Sequence, residues 1–95
     1  MAGIRFEWDL SKDRANRRGH GVSFEEARTV FFDERALFMA DPDHSGDEER
    51  FLLLGLSARL RVLLVCHCYR EDDQIIRLIS ARKATRPELH QYWNR

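Results

Sequence analysis

Ninety-five residues make one domain, residues 1–95, large enough for a hydrophobic core without metal or disulfide staples. With 43% hydrophobic and 34% charged residues the composition is that of an ordinary soluble globular protein, and no run approaches the roughly 20 apolar residues of a membrane span. The formal charge is zero, which argues against a generic nucleic-acid binder, but its distribution is polar: residues 1–50 hold 8 Lys/Arg against 12 Asp/Glu, and residues 51–95 hold 8 against 4. A basic working surface in the C-terminal half and a merely dipolar monomer both fit that asymmetry.

The start, MAGIRFEWD, has no apolar segment of the kind a signal peptide needs, so a cytoplasmic location is expected. Ile4 to Trp8 alternates and reads as a first strand. Asp9 can cap the polar, basic helix Leu10 to His20, and Gly21 fits the left-handed position after its end. Ser23 and Glu26 have the spacing of a capping box, with Val22 and Ala27 as a hydrophobic staple. Phe24, Ala27, Val30 and Phe31 share one face of this second helix, which predicts packing on a sheet.

Ala36 to Ala40 reads as a second strand, followed by a turn-rich acidic loop from Asp41 to Glu49. Strands are expected at Arg50 to Leu56, Arg61 to Arg70 and Gln74 to Arg82, joined by short turns into an antiparallel meander. A last helix is expected from Arg86 to Trp93, with Thr85 and Glu88 as its capping box and Pro87 in the first turn. The fold class is α+β, in the order β-α-α-β-β-β-β-α.

The acidic loop opens like a calcium loop, with Asp41, Asp43, Ser45 and Gly46, but its twelfth position is Leu52 where a bidentate Glu is needed. A solvated acidic turn is the better reading, and His44 is a loop residue within it. Cys66 and Cys68 flank His67 with no further ligands nearby, so no zinc site and no other metal or cofactor is expected; they read as small apolar residues in a reducing compartment. His67 is either half-buried or turned toward a site.

His20 either complements the C-terminal dipole of its helix or serves as an acid or base near neutral pH. Arg77, between Ile75 and Ile79, must find an anion, the sheet rim or a partner carboxylate from the N-terminal half. Five residues separate it from Arg82, so a regular strand sends the two to opposite faces, whereas a bulge would let them converge.

Three collinear segments carry a family resemblance: FEWDLSKDRANRRGHGVSFEEARTVF at residues 6–31, DPDHSGDEERFLLLGLS at 41–57 and IIRLISARKATRPELHQYW at 75–93. Together they make the chain resemble the BrnT family, the toxins of a bacterial type II toxin–antitoxin pair. The resemblance implies a RelE-like ribonuclease fold. It implies an endoribonuclease that works without metal, slows translation and is neutralised by a BrnA-type antitoxin. That ribbon-helix-helix partner would supply operator-DNA binding, and a dimer of toxin–antitoxin heterodimers is an assembly compatible with the pair. Near-zero net charge departs from the strongly basic toxins of the wider superfamily, and makes free RNA an alternative substrate to ribosome-bound RNA.

Metal-independent RNA cleavage needs a base for the 2′-OH, cations for the charge building on phosphate, and an acid for the leaving 5′-oxygen. Arg77 and Arg82, matched to the IRLISAR part of the resemblance, are the expected phosphate stabilisers, with Lys83 and Arg50 in support. Glu49 or His20 is the candidate base, and His20 or Tyr92 the candidate acid, with Tyr92 also placed on the RNA-binding surface. A non-catalytic antitoxin-binding module, or a small structural domain whose arginines only pair with the acidic half, fits the same charge pattern.

Overall fold

The computed structural model describes residues 3–42 and 48–95. Asp43, His44, Ser45 and Gly46, on which most of the calcium-like pattern falls, lie outside them. The elements are β1 (Arg5–Glu7), α1 (Leu10–His20), α2 (Phe24–Thr29), a 3-10 turn (Val30–Phe32), β2 (Leu37–Ala40), β3 (Phe51–Leu56), β4 (Val62–Arg70), β5 (Ile75–Lys83) and α3 (Arg86–Trp93). The expected order is realised, with strand ends displaced by single residues. The second helix leaves α geometry after Thr29, earlier than its apolar face predicts.

The five strands stand in the order β1-β5-β4-β3-β2, antiparallel throughout except for β1, which runs parallel to β5. One sheet face packs on α1 and α2 through Val22, Phe24, Ala27, Val30, Leu53, Leu63, Val65, Ile76, Leu78 and Ala81. The other face is covered at one end by α3, where Tyr92 meets Leu54 and Val62. Gly55 leaves no room for a side chain: a Cβ there would stand 2.9 Å from Ala36 Cβ and 2.9 Å from Val30 Cγ1.

The helix ends follow their sequence signals. Asp9 accepts from the N–H groups of Ser11 and Lys12, and Gly21 takes the left-handed conformation at φ 68°. Ser23 Oγ accepts from Glu26 N, but the reciprocal half of that box is missing. The Glu26 carboxylate turns instead to Ser57 Oγ at 2.7 Å and to the Arg61 guanidinium. Burial would raise the pKa of this carboxyl, yet the Arg61 and Ser57 hydrogen bonds outweigh it and hold the group ionised below its usual range. At Thr85 both halves of the capping box form.

Two features place the site. Cys66 pairs with Ser80 and His67 with Leu78, so Ile79 is an extra residue in β5. Beyond this bulge the alternation is reset: Arg77 pairs with Cys68 and Arg82 with Leu64, and both arginines emerge on the face that β4 lines with Leu64, Cys66 and Cys68. The second feature is the edge of β5 past Arg77, where β1 ends. There the buried Asn16 of α1 takes the place of a strand, accepting from Ala81 N at 3.1 Å and donating to Ala81 O and Val22 O, each at 2.8 Å. Asn16→Ala leaves these backbone groups without a partner. We expect it to cost about 3 kcal/mol, at roughly 1–3 kcal/mol per buried unpaired group, seen as a lower urea midpoint with unchanged slope.

Candidate active site

Asn16 also decides where His20 goes. Residues i and i+4 share a helix face, so a helix clamped to β5 at Asn16 brings His20 to the same strand edge. A cavity of about 440 Å³ opens there, with His20, Asp41, Arg50, Cys66, Ser80 and Arg82 as its polar and thiol lining. Asp41 and Arg50 follow β2 and precede β3 respectively, joined by an Asp41 N–H···O=C Arg50 bond of 3.0 Å. Residues far apart in sequence are thus gathered at one end of the sheet: two guanidinium groups, an imidazole and a carboxylate.

Arg82 is held firmly. Its Nη1 and Nη2 donate to Glu88 Oε1 and Oε2 at 2.8 and 3.0 Å, and Nη1 also donates to Lys83 O at 3.2 Å. The Arg82 hydrogen bond lowers the Glu88 pKa, against the opposing effect of burial. Cys66, also in the cavity, sits 3.7 Å from Asp41 Oδ2. Burial, with the Asp41 charge beside it, pushes its thiol up to about 11, so it is no nucleophile at neutral pH.

The other candidates lie elsewhere. Arg77 shares a face with Arg82 but does not line the cavity: its Nη1 donates to Glu7 Oε2 at 2.8 Å across the parallel β1–β5 pair, and Arg70 lies 3.6 Å from the same oxygen. This is the partner carboxylate from the N-terminal half that a cation on an apolar strand requires. Lys83, one residue past Arg82, pairs with Leu63 on the opposite face and lines a separate hollow with Leu89 and Trp93.

Tyr92 is 2% exposed, and its hydroxyl donates to Asp33 Oδ2 at 2.5 Å. Burial and the Asp33 carboxylate both raise its pKa, so it anchors α3 and is not placed to donate a proton in the cavity. Glu49 is exposed and joins Glu48, Asp73, Phe38, Phe51 and Tyr69 around a larger hollow of about 630 Å³. Three carboxylates there repel a polyanion, which directs attention to the smaller cationic cavity.

His67 is also structural. It is fully buried, 4.8 Å from the Phe31 ring and 5.3 Å from the Tyr69 ring, centroid to centroid. Nδ1 lies 3.3 Å from Val65 O and must carry the proton, since a carbonyl only accepts; Nε2 then accepts from Tyr69 Oη at 3.3 Å. Asp41 and Ser80 line the cavity and Glu88 grips Arg82 beside it, and sequence reasoning nominated none of the three. In sequence Asp41 belongs to an acidic turn and Glu88 to a helix cap, and no local signal ties either to Arg82.

The fold and the cavity define a small α+β domain with a cleft lined by two guanidinium groups, an imidazole and a carboxylate. The family described as the ribonuclease toxin BrnT of type II toxin–antitoxin systems matches residues 8–88, and this chain belongs to that family. The 1.1 Å crystal structure of the Brucella abortus ribonuclease toxin BrnT is similar to it, with a TM-score of 0.65 at 20% identity, over 87% of this chain and 99% of that one. No curated protein sequence matches the chain. Membership in a type II family implies an antitoxin partner. Among the described residues no helix is long and apolar enough to cross a membrane.

Burial lowers the His67 pKa from 6.5 to about 4. Above pH 6.5 the imidazole is neutral in both folded and unfolded chains; between that value and about 4 only the unfolded chain takes the proton. Stability should therefore fall with acidification across this window, by up to roughly 3 kcal/mol, and level off below it. Chemical denaturation at stepped pH should show that slope in the native protein and not in His67→Gln.

Proposed function

We propose that the chain is a metal-independent endoribonuclease whose active site is the cavity between α1, β3 and β5, and that a BrnA-type antitoxin neutralises it. One observation carries this reading: His20, Arg50 and Arg82, nominated separately from the sequence, line the same cavity. Guanidinium groups supply there the positive charge that a bound cation supplies in other nucleases, and they suit the fork geometry of phosphate oxygens.

In the proposed reaction Asp41 takes the proton of a ribose 2′-OH, and the 2′-oxygen attacks the adjacent phosphorus. Arg50 and Arg82 hold the non-bridging oxygens, whose charge rises in the transition state. The bond from phosphorus to the 5′-oxygen breaks, and His20 delivers a proton to that leaving group. The products are a 2′,3′-cyclic phosphate and a 5′-hydroxyl, so no water or oxidant is consumed in the step. Arg77 stands outside the reacting centre and steadies β1 against β5 through Glu7. Operator DNA would be reached only through the ribbon-helix-helix antitoxin, in an assembly such as a dimer of heterodimers.

The test is cleavage of a naked RNA by purified protein in the presence of a chelator. Cleavage should occur, should fall on the order of 10²-fold in Arg82→Ala, and should stop when antitoxin is in excess. A folded, antitoxin-binding protein that cleaves neither naked RNA nor RNA on translating ribosomes would refute the catalytic reading and leave a binding module. RNA affinity should also weaken with salt, by about 0.7 in the log–log slope for each phosphate contact on a single strand. Arg50→Ala should flatten the slope by about one such step, and an unchanged slope would remove Arg50 from the phosphate contacts.

A further inference from the structure

Arg82 has five N–H donors, and their disposition is uneven. The two Nη1 hydrogens go to Glu88 Oε1 and Lys83 O, and one Nη2 hydrogen goes to Glu88 Oε2. Nε–H and the second Nη2–H have no acceptor among the described residues, and in a planar guanidinium these two lie along the same edge. Arg82 is therefore gripped along one edge and open along the other, with the spacing that a carboxylate or phosphate accepts bidentately.

Glu88 is itself fixed. Its Oε1 accepts from Thr85 N at 2.8 Å as well as from Arg82, and its backbone N–H donates to Thr85 Oγ1 at 3.3 Å. It does not line the cavity that Arg82 lines, so it approaches the guanidinium from outside. A carboxylate in the cavity would compete with phosphate; one outside it orients the cation without occupying the phosphate's place.

We infer that Glu88 is a positioning residue, which fixes Arg82 through its outer edge so that the inner edge meets a single phosphate of the substrate. This rests on the reading of Arg82 as a phosphate ligand. The capping box at the start of α3 thus has a second task, since the side chain that closes the helix also sets the rotamer of the cation. In energetic terms the loss of side-chain freedom on gripping a phosphate is met when the protein folds, before substrate arrives.

Glu88→Gln tests this, because glutamine also completes a capping box but gives Arg82 one acceptor and one opposing N–H in place of two acceptors. On a short RNA, kcat should fall tenfold or more with KM within about threefold, while the melting temperature barely moves. Thr85→Ala supplies the complementary control: it weakens the cap but leaves Glu88 on Arg82, so kcat should be retained despite lower stability. A third arm adds free guanidinium at millimolar concentration to Arg82→Ala, where it should restore part of the cleavage, and to Arg82→Ala/Glu88→Gln, where it should not, because its seat is gone.

Full kcat in Glu88→Gln, or equal rescue in the single and double variants, would overturn the inference. Unimpaired cleavage by Arg82→Ala would instead overturn the phosphate-ligand reading on which it rests.

Discussion

The contact on which the cavity depends is the side-chain amide of Asn16 against the backbone of Ala81. A strand edge left open by a short neighbour carries N–H and C=O groups that must find partners, and here a single asparagine supplies both. The same amide reaches Val22 O, which ties the start of the second helical segment to the same point. Three segments are fixed together by one planar group. Without that clamp α1, whose faces are mostly polar, has little apolar surface to hold it on the sheet, and His20 has no defined position beside Arg82.

The bulge at Ile79 is the second determinant, and it separates what alternation can tell from what it cannot. Period-two reasoning sends Arg77 and Arg82 to opposite faces, and one additional residue sends them to the same one. Sharing a face does not make them share a site. Arg77 lies toward β1, where Glu7 and Arg70 form an ion-pair cluster, and Arg82 lies toward α3, where Glu88 waits. The strand thus carries two arginines, each with its own carboxylate, and only one of them lines the cavity.

Much of the fold was legible because it is written in local terms. Caps at Asp9 and Thr85, the left-handed Gly21 and the meander with its short turns rest on neighbours in sequence, and these neighbours meet in the structure as expected, while at Ser23 only the side-chain half of the box forms. The site was legible only in residue type. His20, Arg50 and Arg82 could be named as cations and a titratable group, but their meeting depends on a bulge, a strand-edge clamp and a turn register, none of which leaves a local mark. Tyr92 shows the opposite error: its aromatic hydroxyl looked functional, and burial against Leu54 and Val62 with a bond to Asp33 makes it an anchor. The parallel placement of β1 beside β5 was also invisible, since a three-residue strand carries too little pattern to specify a partner.

The attachment of α3 has a consequence for how the domain opens. Eight residues are too few for a helix that persists alone in water, so its order is borrowed from Tyr92 on Asp33, a small apolar contact and Glu88 on Arg82. Such a segment is a natural unit of sub-global unfolding, with a free energy of opening below that of the sheet. When it lifts away, Arg82 loses its carboxylate and regains its rotamers, while the strand that carries it stays paired. Helix fraying and cleft geometry are thus two readings of one equilibrium, and any anion that favours the ordered cleft must by reciprocity lower the population in which the C-terminus has come away.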